Sequence, residues 1–162
     1  MLKKLIIILL MFLSTNFLLS EIDVLKSKTY GGVNSEYGFS LLQTSDNGYA
    51  ILGKISQGVW LIKTDENGDT LWTKTYGGMN ETRRFCLVQT YDNGYAILGT
   101  ESQDICLIRT NENGDMLWTK TYGGSKTEFA RSLIQTNDNG YAILSYTDSF
   151  GAGTRRYLVN KN

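Results

Sequence analysis

Histidine is absent from the chain, and cysteine occurs only twice. The first absence removes the commonest general base and the commonest nitrogen ligand for metals. Charge of one sign is lacking too. The 16 basic and 16 acidic side chains cancel, so there is no basic field of the kind a nucleic-acid surface needs. The longest apolar run is Leu5–Leu13, well short of the ~20 residues that a membrane-spanning helix requires. Beyond that run, no window carries a 3.6-residue hydrophobic period. No nucleophile elbow, phosphate-cradling glycine loop or zinc spacing occurs, and no spacing singles out a pair of acids for glycoside hydrolysis. These absences together point away from an enzyme and away from a resident cofactor. The 41% apolar content, in turn, excludes a disordered chain. A length of 162 residues suits one domain or a short repeat array.

The first twenty residues stand apart. Lys3 and Lys4 precede the apolar run, Ser14-Thr15-Asn16 interrupts it, and Phe17-Leu18-Leu19-Ser20 follows before Glu21. A charged start and a short apolar segment read as a secretory signal over residues 1–20, with an uncleaved membrane anchor as the alternative. No Cys follows the segment, so a lipoprotein anchor is not expected. The expected location is secreted or periplasmic. Cleavage there removes two lysines and no acid and leaves a net charge of −2, too small to steer a partner by the overall field.

What is present in abundance is a repeat. Thr29-Tyr30-Gly31-Gly32 returns as Thr75-Tyr76-Gly77-Gly78 and as Thr121-Tyr122-Gly123-Gly124, 46 residues apart each time. Gln43-Thr44-Ser45-Asp46-Asn47-Gly48-Tyr49-Ala50-Ile51-Leu52 returns at Gln89 and at Gln135 with the same spacing. Residues 31–76 and 77–122 are identical at 30 of 46 positions without a gap. The third unit, 123–162, keeps register through Leu144 and then gains five residues, which aligns Tyr157-Leu158-Val159 with Trp60-Leu61-Ile62.

Each unit predicts four short antiparallel strands. Phe39–Thr44 precedes the hairpin signal Asp46-Asn47-Gly48, where Asn and Gly tolerate the positive φ of a tight turn. Tyr49–Gly53 returns, and Trp60–Thr64 forms a third strand. Asp65-Glu66-Asn67-Gly68-Asp69 is a second turn of the same chemistry, and Leu71–Tyr76 a fourth strand with Trp72, Lys74 and Tyr76 on one face. Four-stranded units at this period predict an all-β fold of propeller-type blades, arranged as an open arc or partial propeller. A single blade cannot bury both faces, so the repeated Trp, Tyr, Leu and Ile are expected to pack blade on blade. On this reading Trp72 and Trp118 are buried between blades.

The stretch Leu61-Ile62-Lys63-Thr64-Asp65-Glu66-Asn67-Gly68-Asp69-Thr70-Leu71-Trp72, with its copy ending at Trp118, resembles the tandem repeats of secreted bacterial seven-bladed β-propeller proteins. The resemblance covers residues 23–162 and implies a secreted repeat protein. The same stretch resembles the tryptophan-docking repeat of quinoprotein-like propellers, which implies a quinone-cofactor enzyme as the rival reading. Three repeats differ from the four to eight blades of a closed ring.

Residues 23–30 align with the fourth strands and read as a spare outer strand. It can complete the third blade of its own chain, or that of a second chain in a two-fold, six-bladed homodimer formed by strand exchange. The end in mid-unit reads equally as a piece of a longer repeat protein.

The acidic turns at Asp65–Asp69 and Asn111–Asp115 offer clustered oxygens but lack a twelve-residue calcium-loop pattern, and Asx-turn chemistry accounts for them. Cys86 and Cys106 fall on the first and third strands of one blade. Next-but-one strands are too far apart for a disulfide, so free thiols are expected. The connections away from the hairpin turns differ between units. They carry Glu36, Tyr37, Glu81, Arg83, Arg84, Glu101, Asp104, Glu128, Arg155 and Arg156, the candidate ligand-binding face. Its mixed charge suits a protein or glycan partner rather than nucleic acid. The expected function is a non-catalytic binding or assembly module.

Overall fold

The structure, a computed structural model, describes residues 27–32, 36–77, 79, 84–149 and the strand at 156–161. The chain divides into two units, Met1–Val33 and Asn34–Asn162. In the first, residues 27–32 carry no helix or strand. Of the outer strand expected at 23–30, only residues 27–30 are described. Residues 23–26 and the expected signal at 1–20 lie outside the described residues.

The second unit is all-β, with no helix among the described residues. Blade 1 comprises β1 (Tyr37–Gln43), β2 (Tyr49–Ile55), β3 (Gly58–Thr64) and β4 (Thr70–Tyr76). Blade 2 comprises β5 (Cys86–Gln89), β6 (Tyr95–Glu101), β7 (Asp104–Thr110) and β8 (Met116–Tyr122). Blade 3 comprises β9 (Glu128–Gln135), β10 (Tyr141–Thr147) and β11 (Arg156–Lys161). Each sheet is a meander in chain order, antiparallel throughout, with four, four and three strands among the described residues. This unit is an open partial propeller.

The turns follow from the residues. Asn47, Asn93 and Asn139 adopt φ of 65°, 64° and 63°. In each turn the fourth-residue N–H donates back to a Thr carbonyl, as Asn47 N does to Thr44 O at 2.9 Å. Gly68 and Gly114 take the same left-handed position in the second turn, at 78° and 76°, where a residue without Cβ meets no steric cost. Asp65 Oδ1 accepts from the N–H groups of Asn67 and Asp69, both at 2.8 Å. Asn111 Oδ1 does the same for Asn113 and Asp115. The turn uses an oxygen and no charge, which is why Asn serves where Asp stood.

Two expectations are corrected. The second and third strands run two residues further than their apolar cores, to Ile55 and from Gly58, because Lys54↔Val59 and Ile55↔Gly58 continue the ladder. The connection that carries Glu101 and Asp104, and its counterpart in blade 1, are two-residue hairpins, with Ser102 and Gln103 both at positive φ in blade 2. The third unit also departs from its alignment. Leu144 pairs with Val159, where Leu52 and Leu98 pair with Leu61 and Leu107. Leu158 was expected there. The two-residue hairpin that fixes register in blades 1 and 2 is replaced by the longer connection after Thr147, and a register is set by its turn.

The core lies at the seams between blades. Strand β6 alternates Tyr95 and Ile97 toward blade 1 with Ala96 and Leu98 toward blade 3, and all four are buried. At the first seam Ala50, Leu52 and Leu61 meet Leu87, Tyr95 and Ile97. At the second, the residues 46 positions on repeat the arrangement: Ala96, Leu98 and Leu107 meet Leu133, Tyr141 and Ile143. Trp72 stands edge-on to Tyr95 at 5.8 Å and 74°, and Trp118 to Tyr141 at 6.0 Å and 75°. Both tryptophans are half-buried rather than buried. They sit on the fourth strand, the outermost of the blade, so the next blade covers only part of each ring.

Candidate functional site

At one end of blades 1 and 2 an ionic clasp repeats within each blade, beneath the first turn. Lys63 on β3 is only 5% exposed. Its ammonium donates to Asp46 Oδ1 at 3.0 Å and to Thr64 O at 2.8 Å. Asp46 also accepts from the Thr44 hydroxyl and from Gly48 N at 3.2 Å. The Thr44 hydrogen bond and then the Lys63 ammonium hold the Asp46 carboxyl down at about 2. In blade 2 Arg109 and Asp92 make the same pair, Nη2 to Oδ2 at 2.6 Å, and Arg109 also donates to Thr110 O. Asp92 is likewise held below the usual carboxylate range, by Thr90 first and Arg109 after it.

The clasp leaves no room for a side chain at the glycine of the turn. A Cβ on Gly48 would lie 2.2 Å from Thr64 O and 2.6 Å from Lys63 Nζ. On Gly94 it would lie 2.2 Å from Thr110 O. Glycine follows the turn Asn because the cation must pass over the backbone there.

Next to the clasp, polar groups bridge consecutive blades. Ser45 N donates to Gln89 Oε1 at 2.9 Å, and Tyr91 N to Gln135 Oε1 at 2.9 Å. The Ser45 hydroxyl donates to Asn93 Oδ1 at 2.8 Å. Lys74 pairs with Asp115 at 2.8 Å, and the Tyr76 hydroxyl donates to Gly114 O at 2.7 Å.

Between blades 1 and 2, at this turn end, a cleft of about 270 Å³ opens. Asp46, Lys63 and Trp72 line it from blade 1; Asn93, Tyr95 and Glu112 line it from blade 2. At ~30 Å³ per water it holds roughly nine waters' volume, the space of one small ring or side chain. The chemistry is mixed. Trp72 and Tyr95 give apolar surface, Asp46 and Glu112 are carboxylates, and Asn93 offers an amide. Burial, with the Asp46 and Glu112 charges behind it, pushes the Tyr95 phenol up to about 12. Tyr95 itself is buried and meets the cleft as part of its aromatic wall.

The candidate residues from the sequence lie at the other end of the blades. Glu101 and Asp104 face each other as the closing pair of the β6–β7 hairpin. Gln103 in that turn accepts from Glu128 N at 2.7 Å, so the structure brings these three residues together across the second seam. Glu128 is 1% exposed. Its carboxylate accepts from the Thr147 hydroxyl at 2.9 Å and from Gly124 N at 3.4 Å. It is spent inside the fold rather than shown to solvent. Asp104 lies against the Gly123 backbone, where an added Cβ would be 1.9 Å from its Oδ1. Tyr37 and Arg84 are exposed and Glu36 half-buried, on blades 1 and 2. Arg156 opens β11. Glu81, Arg83 and Arg155 lie outside the described residues.

Cys86 and Cys106 are free thiols on β5 and β7, either side of β6. Burial pushes both thiols up, with Arg84 opposing at Cys86 and Thr119 at Cys106. Among the described residues, no three His, Cys, Asp or Glu side chains converge in a metal-holding group. Sequence reasoning missed the clasp and the bridging glutamines. The available signals were a cation kept at one place inside a buried strand, Lys63 and Arg109, and a Gln two residues before every Ser/Tyr/Asn-Asp-Asn-Gly turn.

No family model matches the chain, and no curated protein matches it.

Proposed function

We propose that the protein is an extracytoplasmic, non-catalytic binding module. Its blades form a scaffold, and its ligand site is the cleft at the seam of blades 1 and 2. The observation that carries this reading is the cleft itself. The aromatic wall of Trp72 and Tyr95, the Asn93 amide and the Asp46 and Glu112 carboxylates line a space the size of one small ring. Such a mixture of apolar surface with a few oriented polar groups is what ligand sites use for affinity and for orientation. It suits a saccharide unit of a glycan or a polar side chain of a protein partner. Lys3, Lys4 and the Leu5–Leu13 run support export. The likeness of the repeat motifs to secreted bacterial propeller proteins supports the same location.

Titration of tryptophan fluorescence tests the site, because Trp72 lines it. A panel of neutral and acidic oligosaccharides and of short peptides should contain a ligand that changes the signal saturably. Glu112→Ala, on an exposed turn, should weaken that ligand about tenfold, the loss of one charge-assisted hydrogen bond. Absence of any saturable change across the panel refutes the site. Cell fractionation tests the location, and protein retained in the cytoplasm with residues 1–20 attached refutes export.

A further inference from the structure

The repeat places one kind of face on the leading side of every blade and its complement on the trailing side. The two internal seams show these faces packed together. The same two faces stand open at the ends of the blade array. Leu41 occupies on blade 1 the position that Leu87 and Leu133 occupy on blades 2 and 3. Leu87 and Leu133 are 7% and 4% exposed, and Leu41 is 44% exposed. On the trailing side, Leu42 and Val88 pack against the core clusters of the two seams. Ile134, at the same position in blade 3, is 57% exposed. The bridging groups are repeated at the ends as well. Gln43 and Tyr49 stand on blade 1 where Gln89 and Tyr95 receive blade 1. Asn137 stands on blade 3 where Ser45 and Tyr91 donate their N–H groups to the next blade.

We propose that the occupant of both faces is a second copy of this chain, docked head to tail, with the trailing face of blade 3 on the leading face of blade 1. The docking continues, over the inner strands and without the fourth-strand contacts of Trp72 and Trp118, an interface that the chain already makes twice. It covers Leu41 and Ile134 together, sets Tyr49 at the position of Tyr95 and Tyr141 in the seam, and lets Asn137 N donate to Gln43 as Tyr91 N donates to Gln135. Contacts of this kind join unlike faces, so they form rings when the rotation closes and filaments when it does not. Three blades per chain and closed rings of about four to eight blades leave six as the multiple of three. Two copies joined by two seams then close a two-fold ring with no face left open. Each new seam also sets Asn137 and Asp138 opposite Gln43 and Tyr49.

Sedimentation equilibrium of the purified protein tests this, together with two variants at exposed positions, Leu41→Lys and Ile134→Lys. The wild type is expected at twice the chain mass. Each variant alone is expected at the chain mass, its association weakened about tenfold or more by a charge forced into an apolar seam. A 1:1 mixture of the variants is expected to recover a dimer, because the intact trailing face of one meets the intact leading face of the other. It should be weaker than the wild type, with one seam in place of two. Circular dichroism of both variants should match the wild type. A wild type that remains monomeric at its highest soluble concentration overturns the proposal, as it would if residues 1–33 cover these faces instead. So does a dimer that survives both substitutions, or a mixture that stays monomeric.

Discussion

Replacing Gly94 by Ala adds one methyl group at the most crowded point of the clasp. The new Cβ would lie 2.2 Å from Thr110 O and 2.3 Å from Arg109 Nη1. Ordinary Cβ contacts begin near 3.4 Å, so the methyl or the strand must give by about 1 Å. The Arg109 side chain can swing away, but Thr110 O is backbone of β7, paired through Thr110↔Met116 to β8 and Tyr95↔Thr110 to β6. Overpacking of this kind costs about 1–3 kcal/mol. Disturbing the Arg109–Asp92 pair adds to that, because Arg109 is buried and a buried charge that loses its partner is costly. A total of ~2–4 kcal/mol follows, a large share of the ~5–15 kcal/mol that holds a domain folded. The melting temperature should fall by about 4–16 °C at this chain length. Gly48→Ala should behave alike, since its Cβ meets Thr64 O at 2.2 Å. Gly77→Ala is the control, with nothing within 4 Å of an added Cβ. It should be neutral, or stabilising by about 0.4–1 kcal/mol through the unfolded chain. Urea unfolding of the three variants measures all of this. A Gly94→Ala protein within about 0.5 kcal/mol of wild type, the range of surface changes, refutes the clasp.

Acid should weaken the fold through Asp46. Its carboxyl titrates at about 2 when folded against 3.8 for the free group, so the stability it contributes is complete above about pH 4 and is lost as pH falls toward 2. Asp46→Asn should flatten the dependence of the urea midpoint on pH across that window, and an unchanged slope counts against the pair. Glu128→Ala should destabilise by about 1–3 kcal/mol, the cost of leaving buried donors without their acceptor, while ligand binding at the first seam persists. Loss of binding with full stability would instead return Glu128 to a ligand role. Both thiols are raised by burial, so alkylation at neutral pH should be slow, with half-buried Cys86 reacting before buried Cys106. Fast modification of Cys106 in the native protein contradicts its place in the core.

The blades, their order and their first and second turns were legible because each rests on local chemistry. Asp-Asn-Gly and Asn-Gly-Asp impose a positive φ wherever they occur, and alternation over two residues marks a strand whatever it packs against. What was not legible depended on neighbours distant in sequence. Trp72 and Trp118 read as buried because they are large and repeated, but their burial is set by their outermost strand. Ser102 and Gln103 carry no turn signature, and their positive φ is imposed by the ladder that continues through Glu101↔Asp104. Lys63 and Arg109 carry no turn chemistry of their own, and only the fold shows a cation folded back over glycine onto the first turn of its blade. Glu128 read as a loop acid, and its burial comes from β10 beside it through Thr147. The β11 register shift has no local cause in the strand itself, since it is set by the connection before it.

The central claim is that one seam geometry, repeated, joins the blades. A double-mutant cycle on Trp72 and Tyr95, each replaced by Leu, measures that contact directly, and the same cycle on Trp118 and Tyr141 measures its copy. The edge-on geometry at 5.8 Å and 6.0 Å predicts a coupling of about 0.5–1.5 kcal/mol, equal at the two seams. Substitutions that simply add, within about 0.3–0.5 kcal/mol as unconnected sites do, or a coupling present at one seam and absent at the other, would contradict it.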